Sequence, residues 1–234
     1  MTGQRFTTYQ RHRSRVTRHH GEEGPHDLVL AARAAGVTDQ RVLDAIGRTP
    51  RVAFVPATYA GRAYADEPVP IPHHQVTTQP SLSAAMIAAL ALGGAEKVLE
   101  IGTGYGYQSA LLARLAAHVV SIEIWPDLAA RARRNLDAQG IVNVAIVVGD
   151  GTEGAPQHAP FDAIIVSAAF PEVPPPLAAQ LRPGGRLVQP IGPGGREHVI
   201  LHEKSAAGLQ QVRVLTLASF VPLYGRYGFP QPET

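Results

Sequence analysis

The chain has 234 residues, 45% of them hydrophobic and 17% charged, with a formal net charge of +2. This is an ordinary globular composition and argues against disorder of the whole chain. The sequence contains no cysteine, which excludes disulfide bonds, a thiolate nucleophile and a cysteine-ligated zinc site. Any chemistry must therefore use oxygen and nitrogen groups or a cofactor.

Residues 1–25 form a basic segment with few apolar residues, and we predict that it is a mobile arm. Its arginines are Arg5, Arg11, Arg13, Arg15 and Arg18. Charge blocks of this kind are usually solvated, and binding of RNA or a partner is the alternative. No apolar stretch of signal or membrane-spanning length follows, so we expect a cytoplasmic protein that does not engage membranes.

Residues 26–95 are predicted to form a small N-terminal subdomain. Apolar residues recur at helical spacing in two stretches between residues 26 and 54, separated by Gly36 and the potential N-cap Asp39. Residues 55–80 lose this periodicity and are rich in proline, which predicts a long loop. Such loops in compact domains are often functional. A third helix is predicted over residues 81–92.

Residues 96–234 are predicted to be an α/β core. Short apolar runs at 97–101, 119–124, 143–148, 161–166 and 186–191 alternate with helical stretches at 108–117, 127–139 and 172–181. This alternation predicts a mostly parallel sheet with helices on both faces. Residues 198–202 and 210–221 flank a turn and predict a C-terminal antiparallel hairpin.

The most informative motif is Val-Leu-Glu-Ile-Gly-Thr-Gly-Tyr-Gly at residues 98–106, where a strand runs into glycines and then a helix. Glycines at such a turn let the backbone approach a ligand at the carboxyl edge of the sheet. A dinucleotide fingerprint would need a third glycine at Tyr107. Glu100 would repel a pyrophosphate but suits the ammonium and sulfonium groups of S-adenosylmethionine. The pattern resembles motif I of class I methyltransferases, which have a Rossmann-like fold.

Two further acids follow the next two predicted strands. Glu123 lies about twenty residues after the first glycine, where a carboxylate can accept hydrogen bonds from ribose hydroxyls. Asp150 precedes Gly151, and its carboxylate could accept from an adenine amino group. Together with the glycines, these acids predict S-adenosylmethionine as cofactor and S-adenosylhomocysteine as product.

Several segments resemble, in order, the signatures of protein-L-isoaspartate O-methyltransferases over about residues 28–229. They are 51–56 (Arg-Val-Ala-Phe-Val-Pro), 63–66 (Ala-Tyr-Ala-Asp), 70–72 (Pro-Ile-Pro), 75–80 (Gln-Val-Thr-Thr-Gln-Pro), 161–169 (Phe-Asp-Ala-Ile-Ile-Val-Ser-Ala-Ala), 180–186 (Gln-Leu-Arg-Pro-Gly-Gly-Arg) and 220–223 (Phe-Val-Pro-Leu). The resemblance implies methylation of isoaspartyl carboxylates in damaged proteins, which initiates repair through a succinimide, and it leaves open whether D-aspartyl carboxylates are also methylated.

The resemblance also implies site residues. The expected catalytic residue is Thr78, where the family usually has serine. The expected cofactor-binding residues are Thr77, Glu100, Gly102, Thr103, Gly104, Gly106, Gln108, Glu123, Asp150 and Gly151. The expected substrate-binding residues are Thr78, Ala168, Ala169, Val221 and Leu223. The chain departs from the family pattern at Thr78, at Gln189 and at His73-His74, which replace a glycine-containing approach.

Adjacent histidines diverge and lack a third ligand at suitable spacing, so we expect no metal. We also expect a monomer without a nucleic-acid partner. Two alternatives stay open. One is a carboxyl methyltransferase for a peptide natural product or small molecule. The other is a non-catalytic RNA-binding or regulatory module, which predicts salt-sensitive RNA binding through the arm and no methyl transfer.

Overall fold

The computed structural model describes residues 24–231, so the predicted arm lies almost entirely outside the described residues. The helices are α1 Pro25–Ala34, α2 Gln40–Gly47, α3 Pro80–Leu90, α4 Tyr107–Ala113, α5 Pro126–Ala138 and α6 Pro175–Gln180. The strands are β1 Pro70–Ile71, β2 Gln75–Val76, β3 Lys97–Ile101, β4 His118–Glu123, β5 Val144–Val148, β6 Phe161–Val166, β7 Leu181–Ile191, β8 Glu197–Ser205 and β9 Gly208–Ala218.

The main sheet has seven strands in the order β5-β4-β3-β6-β7-β8-β9. Strands β3 to β7 pair in parallel, whereas β7–β8 and β8–β9 pair antiparallel. The chain therefore reverses its winding between β3 and β6, where open α/β sheets bind ligands. This topology confirms the predicted mostly parallel sheet with a C-terminal antiparallel hairpin.

Both faces of the sheet are covered, because successive side chains of each buried strand point to opposite sides. Val98 and Val119 belong to the hydrophobic cluster that holds the apolar faces of α1 to α4. The neighbouring residues Leu99 and Val120 belong to a second cluster, which contains Leu177 of α6. The continuous apolar character of β3 and β4 follows from this double burial.

The N-terminal helices form as the sequence predicts. The side chain of Asp39 caps α2 by accepting a hydrogen bond from the backbone NH of Arg41 at 2.9 Å. Helix α2 buries Val42, Leu43 and Ile46 on one face. Helices α1 and α2 pack with α3 against the sheet, and Phe54 in the connection between α2 and α3 joins the same cluster before the chain reaches the cavity at Ile71.

The structure differs from the sequence prediction in two places. The predicted irregular loop contains a small hairpin, β1–β2, whose turn residues His73 and His74 have left-handed φ angles of 61° and 55°. Two histidines in this conformation give no turn signal in the sequence. The helix predicted over residues 172–181 is shorter, because Leu181 is extended and pairs with Phe161 at the start of β7.

Within residues 24–231, no helix has both the length and the apolar character that crossing a bilayer requires.

Candidate active site

A cavity of about 900 Å³, including its open mouth, lies at the carboxyl ends of β3, β4 and β6. One wall is the glycine-containing turn after β3 together with the residues that follow β4, and we call it the donor wall. A second wall is formed by residues of the segment 71–78, and we call it the acceptor wall. The C-terminal segment around Leu223 closes one side. A ligand in this cavity contacts elements far apart in sequence.

The glycines of the donor wall have left-handed φ angles of 93° at Gly102, 56° at Gly104 and 90° at Gly106. A side chain at these positions would be strained. Gly102 and Gly104 line the cavity. Gly106 does not line the cavity but faces α5, where a Cβ atom on it would lie 3.4 Å from Ala132. The first two glycines therefore shape the cavity, whereas Gly106 allows α4 and α5 to pack closely.

Glu123 ends β4 with its carboxylate at the cavity and is only 4% exposed. It accepts hydrogen bonds from the backbone NH groups of Gly104 at 2.8 Å and Trp125 at 3.0 Å. Burial raises its pKa above the ordinary value, although these hydrogen bonds oppose the shift. Each carboxylate oxygen has a further lone pair, so Glu123 can still accept from a ligand hydroxyl.

Glu100 lies beneath α4 and does not line the cavity. Its carboxylate accepts from Ser109, from Ser121 at 2.7 Å and from Gln108 at 3.1 Å. Burial raises its pKa to about 7, against the effect of these hydrogen bonds. The sequence predicts that the Glu100 carboxylate contacts a cationic ligand directly. In the structure this carboxylate is enclosed by protein donors, and the ligand contact stays a prediction.

The Glu100 network reaches the cavity indirectly. Ser121 shares a 2.6 Å hydrogen bond with Thr103, and Gln108 donates at 2.8 Å to Ser167. Thr103, Gln108 and Ser167 all line the cavity. Glu100 therefore fixes three polar side chains on different elements around the ligand space.

Arg51 organises the acceptor wall from within the protein, where it is fully buried. Its guanidinium donates to the carbonyls of Ala63, Ala65 and Glu67 and, at 3.0 Å, to the Thr77 hydroxyl. Burial lowers its pKa, but arginine remains protonated in proteins. One buried cation thus ties residues 63–67 to the strand that leads into α3.

The adjacent residues Thr77 and Thr78 both line the cavity but differ in their hydrogen bonds. The Thr77 hydroxyl accepts from Arg51 and from the backbone NH of Val69, each at 3.0 Å. The Thr78 hydroxyl makes no hydrogen bond to any residue in the range 24–231. Thr78 therefore offers both its donor and its acceptor to a ligand.

Asp150 and Gly151 occupy different positions. Gly151 lines the cavity, and a Cβ atom there would lie 2.4 Å from Ile101. Asp150 does not line it. Its carboxylate accepts from the NH and hydroxyl of Thr152 at 2.8 and 2.6 Å and from the NH of Arg226 at 2.7 Å. Asp150 thereby fastens the C-terminal segment beside the cavity, and its contact with adenine stays a prediction.

The expected acceptor residues meet at one side of the cavity. Ala168, Val221 and Leu223 line it, whereas Ala169 is buried behind them. The backbone of Ala169 donates to Val221 O and accepts from Leu223 NH, each at 2.8 Å. Ala169 thus positions the C-terminal segment through its main chain.

A family model for protein-L-isoaspartate(D-aspartate) O-methyltransferases matches residues 23–228, which is most of the chain. The chain belongs to this family. Membership confirms the family and the enzyme class that the motifs predict. The match covers both walls of the cavity and the C-terminal segment, so the residues above can be compared with the family's reaction.

The chain aligns with nearly the whole length of relatives that carry the same family name. The protein-L-isoaspartate O-methyltransferase of Anaeromyxobacter dehalogenans is 52% identical over 190 residues, covering 80% of this chain and 91% of the relative. That of Methanoculleus marisnigri is 48% identical over 197 residues, covering 84% and 89%.

Solved structures show the same fold. One protein-L-isoaspartate O-methyltransferase superposes with a TM-score of 0.76 at 30% identity, covering 87% of this chain and 67% of that chain. A Plasmodium falciparum protein described as a beta-aspartate methyltransferase, solved with S-adenosyl-L-homocysteine, gives 0.74 at 20% identity, covering 87% and 99%. At that identity the second match supports the fold alone.

Sequence reasoning gave no role to Arg51 or to the cavity residues Ser83 and Ser167. Ser167 follows β6, beside β3, so the rule that parallel strands end at one edge could have identified it. In the sequence, Arg51 stood out only as part of a family motif. Three of its four hydrogen bonds are to backbone carbonyls, which every residue carries, so no partner residue type marks it. Within the described range, no three His, Asp or Glu residues lie together as a metal site would require.

Proposed function

We propose that this chain transfers a methyl group from S-adenosylmethionine to the side-chain carboxylate of L-isoaspartyl residues in damaged proteins and peptides. The observation that carries the proposal is a single cavity with a buried carboxylate, Glu123, on one wall and an uncommitted hydroxyl, Thr78, on the other. The first suits a nucleoside, and the second suits a carboxylate. Family membership supports this combination.

The donor wall fits the cofactor. Glu123 would accept hydrogen bonds from the ribose hydroxyls, and Gly102 and Gly104 leave room for the backbone to contact the donor. Gly151 lines the cavity and lets the side chain of Ile101 pack closely against the backbone beside the ligand space. When bound, S-adenosylmethionine supplies an electrophilic methyl group on a positively charged sulfur. We assign Glu100 an indirect role, which is to hold Thr103, Gln108 and Ser167 in place.

The acceptor needs little activation. A carboxyl group of this kind has an ordinary pKa of about 4, so it is ionised at neutral pH and needs no general base. One carboxylate oxygen forms a bond to the methyl carbon while the carbon–sulfur bond breaks, and the products are a methyl ester and a neutral thioether. The protein must align oxygen, carbon and sulfur and exclude water, which lowers the barrier by several kcal/mol.

Thr78 is the residue to which we assign this alignment. Its hydroxyl can donate to one carboxylate oxygen, because no other described residue uses it. Thr77 is the neighbouring candidate, because its oxygen accepts two hydrogen bonds while its hydroxyl proton stays available, but the family motif assigns the role to Thr78. Ala168, Val221 and Leu223 would then contact the peptide on either side of the acceptor residue.

The test is methyl transfer from radiolabelled S-adenosylmethionine to an isoaspartyl peptide and to its normal aspartyl twin. We expect base-labile methyl ester on the isoaspartyl peptide and almost none on the twin. Equal transfer to both peptides, or transfer only to small carboxylates, would refute the proposed acceptor. No transfer at all, together with no binding of S-adenosylhomocysteine, would refute the enzyme and favour the RNA-binding alternative.

A further inference from the structure

The hairpin β1–β2, residues 70–76, is the part of the acceptor wall that contacts the donor wall. Ile71, Gln75 and Val76 line the cavity from this hairpin. On one side it leans on the glycine-containing turn, since a Cβ atom on Gly104 would lie 3.5 Å from Ile71 Cδ1. The turn of the hairpin projects in the direction of the residues that follow Glu123.

The turn makes two contacts there through one side chain. The imidazole of His73 stacks in parallel on the indole of Trp125, with ring centroids 4.1 Å apart and an interplanar angle of 0°. Its Nε2 atom lies 2.8 Å from Asp127 Oδ1 at the start of α5. Slight burial would raise the pKa of Asp127, but the interaction with His73 lowers it below the ordinary value.

Trp125 connects this contact to the cavity. It lines the cavity beside Glu123, and its backbone NH donates to the Glu123 carboxylate at 3.0 Å. His73 does not line the cavity, and its ring stacks on the indole of Trp125, which does. A residue without a side chain at position 73 could make neither the stack nor the hydrogen bond.

We propose that His73 is a positioning residue for donor binding, which holds Trp125 in the cavity wall and fastens hairpin β1–β2 over the bound nucleoside. The proposal rests on the assignment of this cavity to S-adenosylmethionine. Loss of the His73 contacts frees the hairpin from α5 and lets the indole rotate. The donor and its product then leave faster, whereas the acceptor alignment at Thr78 stays as it was.

The chain contains a matched control and a built-in probe. His74 is adjacent, exposed and in the same left-handed conformation, but its side chain makes no hydrogen bond or ring contact with residues 24–231. Trp125 is the only tryptophan of the chain, so intrinsic fluorescence reports this stack without a label.

The experiment compares His73→Ala with His74→Ala. In the unliganded protein, His73→Ala should change the intensity or wavelength of tryptophan emission, and His74→Ala should not. By calorimetry and stopped flow, His73→Ala should weaken S-adenosylhomocysteine binding about 5- to 20-fold, mainly through faster dissociation, the size expected from one stack and one exposed hydrogen bond. At saturating donor, kcat should stay within about twofold.

Two further variants separate positioning from a general loss of structure. His73→Phe keeps the stack and should restore much of the affinity. Asp127→Asn should weaken binding less than His73→Ala, and adding it to His73→Ala should have almost no further effect. An affinity of His73→Ala equal to that of the unmodified protein would overturn the proposal, whether or not the emission changes. If the unmodified protein methylates the isoaspartyl peptide in that case, the proposed function stands and only the role of His73 fails.

Discussion

The donor and acceptor walls of the cavity are built by different means. The donor wall consists of strand ends and a glycine-containing turn, and the carboxylates of Glu123 in the wall and Glu100 behind it accept hydrogen bonds from neighbouring elements. The acceptor wall belongs to the long connection between α2 and α3, whose own hydrophobic cluster is small and consists of Val55, Ala63 and Val69. It is held by Arg51, whose contact with Thr77 joins residues 26 positions apart in the sequence. The donor wall thus follows from the sheet, whereas the acceptor wall depends on one buried side chain.

The largest expected effect tests this dependence on Arg51. Arg51→Met fills similar space but leaves three carbonyls and the Thr77 hydroxyl without their donor. We expect the free energy of unfolding to fall by about 3 to 5 kcal/mol, as when a buried, hydrogen-bonded charge is lost. Urea denaturation followed by circular dichroism measures this change.

Arg62→Met is the matched control, because Arg62 lies in the same connection with an exposed side chain. It should leave the denaturation midpoint close to that of the unmodified protein. If both variants had the same midpoint, Arg51 would not organise the acceptor wall.

The second prediction concerns Glu100 on the donor side. Burial raises its pKa in the folded protein to about 7. Between pH 5 and 8 the folded protein therefore binds more protons at this group than the unfolded chain does, and the group destabilises the fold as pH rises. Glu100→Gln should remove this trend, so that its stability relative to the unmodified protein improves by about 3 kcal/mol from pH 5 to pH 8.

Glu96→Gln provides a control of opposite sign. The Glu96 carboxylate accepts from the NH groups of Gly93 and Gly94 at 2.9 and 2.7 Å. Desolvation would raise the pKa of Glu96, but these hydrogen bonds lower it overall. This carboxylate stabilises the fold above its unfolded pKa, so Glu96→Gln should lose stability at pH 8 relative to pH 4. Parallel pH profiles for the two variants would contradict the assigned environments.

The third prediction tests the donor wall directly. Glu123→Ala removes the charged acceptor proposed for the ribose hydroxyls and the partner of two backbone NH groups. Binding of S-adenosylhomocysteine should weaken by about 1 to 3 kcal/mol in calorimetry. Glu123→Gln should lose less, because one carbonyl oxygen remains. Unchanged affinity of Glu123→Ala would place the nucleoside elsewhere.

Most of the fold could be predicted because the apolar pattern of each helix and strand matches its burial in the structure. The apolar runs that become β3, β4 and β6 are buried on both faces, and Gly102 and Gly104 mark the turn that follows. The hairpin β1–β2 could not be predicted, since two histidines in left-handed conformations carry no turn signal. The early start of β7 was also missed, because the pairing of Leu181 with Phe161 is a tertiary contact.

The site was predicted less completely than the fold. The positions of Glu123 and Gly151 after parallel strands predicted that they lie at the cavity, and the family resemblance predicted the same for Gln108. The sequence could not show that Glu100 and Asp150 direct their carboxylates to protein donors. The hydrogen-bond partners of these carboxylates come from other elements of the fold. Ser121 donates to Glu100, and the backbone NH of Arg226 donates to Asp150. The ligand contacts of all these residues stay predictions.

Thr78 provides the most direct test of the division between the two walls. Thr78→Val preserves the shape and removes the hydroxyl, so kcat/KM for an isoaspartyl peptide should fall about tenfold to a hundredfold or slightly more, the value of one hydrogen bond to a charged group. Affinity for S-adenosylhomocysteine should stay within about twofold, and Thr78→Ser should retain or increase activity. Methylation at the unmodified rate by Thr78→Val, or an equal loss of donor affinity, would contradict the assignment of Thr78 to the acceptor carboxylate.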